Sequence, residues 1–291
     1  MASSRRSILS GAIGLAAFAA APALAQGGRS IPRRITSTRN LFKAPAGSWP
    51  NGVAVVPEGL WIAEQKLTGM AAKQYHLPEP ADRHESAWLV DWNGKILKTI
   101  VTESQNTSGM AVGGGYLWMG ANVFRDNGIY QYDMAGKLIS RRQVPLGPPE
   151  DGGGVHGLLW HEGKLWIVAN RLHVIMRVDP VSWVPEFEIP LSDLAARYHG
   201  IAWDDSVPGG AIWAVTGNRS SGYKESQAGL HKYDVRTGRL LEIAQFQNGS
   251  ADPHGLAMYN GKLVSCDAGI HPGWPNFDSP SSGYVFEIDF V

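Results

Sequence analysis

Three histidines, His156, His199 and His254, each stand one residue before a glycine, in the segments Val155-His156-Gly157, Tyr198-His199-Gly200 and Pro253-His254-Gly255. Asn51 and Ser108 fill the same place in two earlier segments, before Gly52 and Gly109. Imidazole is the commonest metal-binding side chain, and three of them gathered at one point could hold a divalent ion with positions left open for water or substrate. The alternatives are a metal-free catalytic or binding cluster and plain structural packing. Two carboxylates share a second recurring place. Glu64 and Asp267 align with Ala121, Ala169 and Thr216, three residues beyond a Leu-Trp-type landmark. Either could ligate a metal, orient a histidine or act as general base; the bland alternative is a carboxylate that binds loop amides. Asn122 and Asn170 follow one step later as candidate substrate contacts, or as turn formers. Lys66, Arg171 and Arg219 make the same region cationic and would suit an anionic group on a small-molecule substrate.

These residues can act together only if the chain returns to one place, and its repeats make it do so. The glycines at 52, 109, 157, 200 and 255 lie 57, 48, 43 and 55 residues apart. Each opens a short apolar segment that turns into a second one, such as Gly59-Leu60-Trp61-Ile62 or Lys164-Leu165-Trp166-Ile167. A third segment ends in aspartate (Asp91, Asp133, Asp179, Asp234, Asp289), and four of the five continue into a fourth. Four short β segments per period of this length predict an all-β propeller of five four-stranded blades. The last repeat stops after its third strand. The unclaimed stretch from Arg34 to Phe42 is therefore expected to complete the last blade and close the ring, leaving no open sheet edge. In such a blade the start of the first strand and the end of the second meet at one rim. Equivalent residues then surround one axis, which gathers Asn51, Ser108 and the three histidines with Glu64 and Asp267.

The loops between second and third strands, Gln65–Ser86, Gly217–Gln227 and Ala268–Ser282, open on that rim and carry Tyr75, Tyr223, Trp274 and Phe277. Long loops in a compact domain usually serve function. His231 is expected in the core and His161 in a solvated turn, while His76, His84 and His271 fall in loops that the repeat does not place. No phosphate loop, nucleophile elbow or His-Glu-x-x-His zinc motif is present.

With 26 Lys+Arg against 26 Asp+Glu, the chain lacks the basic surface that nucleic acid would need, and one cysteine excludes an internal disulfide framework. Residues 1–25 read as a twin-arginine export signal. Arg5-Arg6 precede an apolar stretch from Gly11 to Ala20 and the small-residue cleavage pattern Ala23-Leu24-Ala25. A single propeller domain, 26–291, is then expected in the periplasm or outside the cell, without a membrane anchor.

The recurring Gly-hydrophobic-Ala followed by Leu-Trp-hydrophobic, clearest at Asn51–Glu64 and His254–Asp267, resembles the propellers of streptogramin (virginiamycin B) lyases, with gluconolactonases as more distant cousins. Streptogramin lyases are seven-bladed, whereas five repeats are legible here. The resemblance implies ring-opening lyase or lactonase-type chemistry on a small molecule. Combined with the residues, it gives a metal-dependent enzyme in which Glu64 or Asp267 moves a proton. An iron- or copper-dependent oxidoreductase and a non-enzymatic ligand- or protein-binding propeller stand as alternatives.

Overall fold

The computed structural model describes residues 30–45, 49–74, 76, 78–122, 128–147, 154–195, 197–217, 229–269, 271 and 283–291. The expected export signal, Arg219 and the loop aromatics Tyr75, Tyr223, Trp274 and Phe277 lie outside them. The described residues form twenty strands and one short helix, α1 (Gly69–Gln74).

Three sheets have four strands each, laid side by side in chain order. They are β2 (Trp49–Val56), β3 (Gly59–Gln65), β4 (Glu85–Val90) and β5 (Ile96–Thr102); β6 (Thr107–Gly113), β7 (Tyr116–Ala121), β8 (Gly128–Asp133) and β9 (Leu138–Arg142); and β10 (Val155–His161), β11 (Lys164–Ala169), β12 (Val174–Val178) and β13 (Pro185–Pro190). The fourth sheet is eight-stranded and joins two such runs. One is β14 (Arg197–Asp204), β15 (Ala211–Gly217), β16 (Gly229–Asp234) and β17 (Leu240–Phe246). The other is β18 (Leu256–Tyr259), β19 (Lys262–Cys266), β20 (Tyr284–Phe290) and, outermost, the N-terminal β1 (Arg33–Lys43). β1 pairs antiparallel with β20, Thr36 opposite Phe290, and parallel with β17, which fuses the two runs.

Burial follows position in the sheet. The second strand β3 is buried along its whole length, as its continuous apolar run requires, while the outer strand β5 is exposed at most positions. The core lies between neighbouring sheets. One cluster joins Trp61, Ala87 and Ile100 to Met110, Met119 and Tyr132 across such a seam. The repeated tryptophans Trp61, Trp118 and Trp166 are almost fully buried. Each such ring contributes on the order of 4–6 kcal/mol by area, an upper estimate. The repeat aspartates fold their own hairpins. Oδ1 of Asp91, Asp133, Asp179 and Asp234 accepts backbone N–H bonds from the turn that follows, at 2.8–3.1 Å.

The innermost strands pack in a closed circuit, β2 on β6, β6 on β10, β10 on β14, β14 on β18 and β18 on β2. The recurring glycines make this approach feasible. A Cβ on Gly52 would lie 2.9 Å from Met110 N, one on Gly109 3.1 Å from Leu158 N, and one on Gly255 2.7 Å from Asn51 O. Gly200 is as confined, its added Cβ 2.6 Å from His254 O and from Gly255 C, and its own N–H donates to His254 O at 2.7 Å. Each glycine is therefore a place where one backbone touches the next, and any side chain would wedge the ring apart.

Candidate metal centre and its histidine row

The inner strands do not pair evenly. In β2, Pro50 faces Glu64 and Gly52 faces Ala63, so Asn51 is left out of the register. Ser108 is skipped in the same way in β6, His156 with Gly157 in β10, and His199 with Gly200 in β14. A bulge at each of these four glycines thus frees the preceding side chain from the pleat and re-aims it. The pairs Pro50–Glu64, Thr107–Ala121, Val155–Ala169 and Tyr198–Thr216 also put the ends of the second strands beside these starts. In the last run His254 N donates to Cys266 O at 3.0 Å, keeping the same relation just ahead of β18.

The three repeat histidines are neighbours and all are buried. Ring centroids lie 5.2 Å apart for His156 and His199 and 4.9 Å for His199 and His254, both edge to face. A fourth ring, His271, stacks on His254 at 5.1 Å. The four rings form a row of neighbours, and among the described residues the donors that gather are those of Asp252, His254 and His271, whose ligand atoms all lie within 4.8 Å of one another. His254 Nε2 lies 3.2 Å from Asp252 Oδ2, and His271 Nδ1 bonds the same oxygen. Two imidazoles and a carboxylate within this span suit a divalent first-row metal, which needs donors at roughly 2.0–2.2 Å. His254 alone of the three repeat histidines belongs to this group.

His156 has another partner. Its Nε2 accepts from Arg197 Nε at 3.0 Å, from Arg197 Nη2 at 2.5 Å and from Asn122 Nδ2 at 3.1 Å. That nitrogen already faces a cation, so a metal ion would meet repulsion there. The Nδ1 atoms of His199 and His254 are buried and have no hydrogen-bond partner among the described residues. Burial, reinforced by the Arg197 charge, holds His156 and His199 well below the ordinary imidazole range. Burial also lowers His254, against the opposing pull of Asp252. For Asp252 itself burial acts upward, but the neighbouring His271 and His254 outweigh it and hold the carboxyl well below the usual range. Burial thus disfavours the charged form of all three repeat histidines, with the Asp252 carboxylate at one end of the row and the Arg197 guanidinium at the other.

The remaining sequence candidates have distinct places. Asp267 is fully buried and accepts from Gly269 N at 2.7 Å and Asp252 N at 3.2 Å, so it ties the Asp252 loop to the turn after β19. Glu64 is buried at the end of β3 and pairs with Lys66 at 3.4 Å. Asn51 donates to Gln65 Oε1 at 2.8 Å, and Ser108 is buried beside it in the ring. Asn170 clamps the backbone of Tyr198, donating to its carbonyl at 2.7 Å and accepting its N–H at 3.0 Å, while Asn122 holds His156. Arg171 is exposed. His231 is buried as expected, bonded to Tyr198 Oη at 2.8 Å. His161, expected in solvent, instead stacks on Trp203 at 3.6 Å. Sequence reasoning missed Asp252, Arg197 and His271. The first two were within reach, because each stands two residues before a repeat histidine; His271 comes from a loop with no repeat counterpart.

No family model and no curated protein matches the chain. Solved structures do. Glutaminyl cyclase of Myxococcus xanthus superimposes with a TM-score of 0.55 at 12% identity, covering 90% of this chain and 100% of the other. A luciferin-regenerating enzyme gives 0.51 at 10% identity, covering 88% and 95%. A streptogramin B lyase structure gives 0.44 at 14% identity, covering 88% and 98%. By fold the chain stands with the first two.

Proposed function

We propose that the chain is a five-bladed, metal-dependent propeller enzyme that opens or eliminates a ring bond in a small molecule. In this reading the eight-stranded sheet counts as two blades clasped by β1. The observation that carries it is the gathering of Asp252, His254 and His271 donors within 4.8 Å of one another beside His199, a buried imidazole whose Nδ1 lacks a partner among the described residues. These three residues would hold the ion, which when bound polarises a substrate oxygen or activates water. Asp267 positions Asp252 through its backbone N–H. His199, next in the row, offers a buried imidazole whose Nδ1 is unpartnered among the described residues; burial disfavours its protonated form, so a proton it takes must pass on within the same step. Glu64 is a weaker choice, since it is already paired with Lys66. Arg197 and the exposed Arg171 favour a substrate with an anionic group.

The test is turnover of a panel of lactones and cyclic depsipeptides by purified protein, before and after chelation. Activity abolished by chelator, restored by one divalent metal and lost in His199→Ala supports the reading. Turnover indifferent to both removes it. A set of two histidines and one carboxylate also suits non-haem iron, so a redox enzyme is the second reading; purified protein retaining iron and consuming oxygen with substrate would favour it.

Export by the twin-arginine route belongs to the same proposal. Changing Arg5 and Arg6 to Lys should leave uncleaved precursor inside the cell; unchanged processing would refute it.

A further inference from the structure

A second site lies at the far end of β10, independent of the proposed metal chemistry. His161 is five residues beyond His156, about 16 Å along an extended strand. A cavity of about 680 Å³ opens there between the β10–β13 and β14–β17 sheets, within the usual range for small-molecule sites. Among its lining residues His161 lies face to face on Trp203, interplanar angle 15°, so a ligand can stack only on an outer face of the pair. One wall is the loop from Asp205 to Gly210, pinned by Gly210 N to Val207 O at 2.8 Å and by Val235 N to Gly210 O at 3.2 Å. Gly210 sits at φ +86, and a Cβ there would overlap the Trp203 indole, so the loop can fold against the platform only as glycine.

Trp166 points to an occupant. At the equivalent place in other sheets, Trp118 Nε1 donates to Gly113 O at 3.1 Å and Trp213 Nε1 to Asp204 Oδ2 at 2.9 Å, each within its own hairpin. Trp166 is 2% exposed and lines the cavity, yet its Nε1 has no partner among the described residues. A buried N–H without an acceptor is destabilising, and a bound oxygen would offset that cost. The charges around it balance: Lys164, Arg177 and Arg236 against Glu162, Glu186 and Asp205. An anion would meet the three carboxylates and a cation the three basic groups. Hydroxyls, which both donate and accept, suit such a lining, and the C–H face of a pyranose suits the His161–Trp203 platform.

We infer that this cavity binds a neutral saccharide, with the sugar ring on the outer face of His161, which Trp203 backs, and a ring or hydroxyl oxygen accepting from Trp166. The test uses the full chain, titrated with neutral di- and trisaccharides of glucose, mannose, galactose and N-acetylglucosamine, with oligoglucuronate and oligoglucosamine as charged arms, read by tryptophan fluorescence and calorimetry. Saturable binding of a neutral sugar is expected, weakened about tenfold by His161→Ala and by Trp203→Ala, and unchanged in His254→Ala. Because Trp203 also packs against the core, His161→Ala decides the matter if Trp203→Ala fails to fold. No saturation by any neutral sugar, stronger binding of a charged arm, or affinity unaltered by His161→Ala would overturn the assignment.

Discussion

Asp252→Asn is the most informative single change. It keeps the shape of the side chain and the backbone N–H bond to Asp267, so the loop ahead of β18 should stay in place. It removes one negative charge at a buried point where one carboxylate oxygen meets both His254 and His271. Outer-sphere partners of metal ligands are worth about 10–100-fold in affinity, so a residue that itself ligates should cost at least about 100-fold, roughly 2.7 kcal/mol. Asp267→Asn, acting through Asp252, should fall within the 10–100-fold band. His156→Ala should leave affinity near wild type, because Arg197 and Asn122 already occupy its Nε2. Calorimetric titration with Zn²⁺ and Mn²⁺, alongside elemental analysis of purified protein, measures all three. Undiminished metal in Asp252→Asn, or its loss in His156→Ala, would refute the reasoning and return the ion to the three repeat histidines.

Other expectations concern the frame. Gly200→Ala drives a methyl into the backbone at His254 and Gly255, neither of which can yield; about 3 kcal/mol should be lost, lowering the melting midpoint by roughly 6–12 °C in a thermal scan. Asn170→Ala strips partners from both the N–H and the carbonyl of the buried Tyr198, and chemical denaturation should show a loss of about 2–3 kcal/mol. His231 is pushed down to about 4 by burial, with a smaller push from the charge of Arg33. The unfolded chain therefore takes up this proton first as pH falls. Stability from His231 is whole above about pH 6.5 and drains away toward pH 4, about 3 kcal/mol in total. Stability measured from pH 7 to 4 should thus fall less steeply in His231→Gln than in wild type; parallel curves would contradict this.

Much of the frame was legible because repetition is itself geometric information. The residue before each repeat glycine was read as axial, and the bulges that leave Asn51, Ser108, His156 and His199 unpaired show why that position faces inward. The chemistry was harder to read. Rotational equivalence places rings around an axis but does not fix where their nitrogens point, and among the described residues the donors that gather include His254 but neither His156 nor His199. The choice among them is made by non-repeating residues: Arg197, which claims His156, and Asp252 with His271, which claim His254. Carboxylates and amides such as Asp267 and Asn170 looked chemical, yet the backbone holds them, because inner strands that begin with a bulge leave N–H and carbonyl groups for side chains to satisfy.

The pairing of β1 with β20 ties together residues more than two hundred positions apart, Thr36 beside Phe290. Such a clasp makes the circle indivisible. The first-made segment must wait for the last before it finds its place, and loss of either end opens the whole wheel rather than trimming one spoke. Resistance to unzipping from a frayed terminus, which a linear array of repeats lacks, follows from that one join.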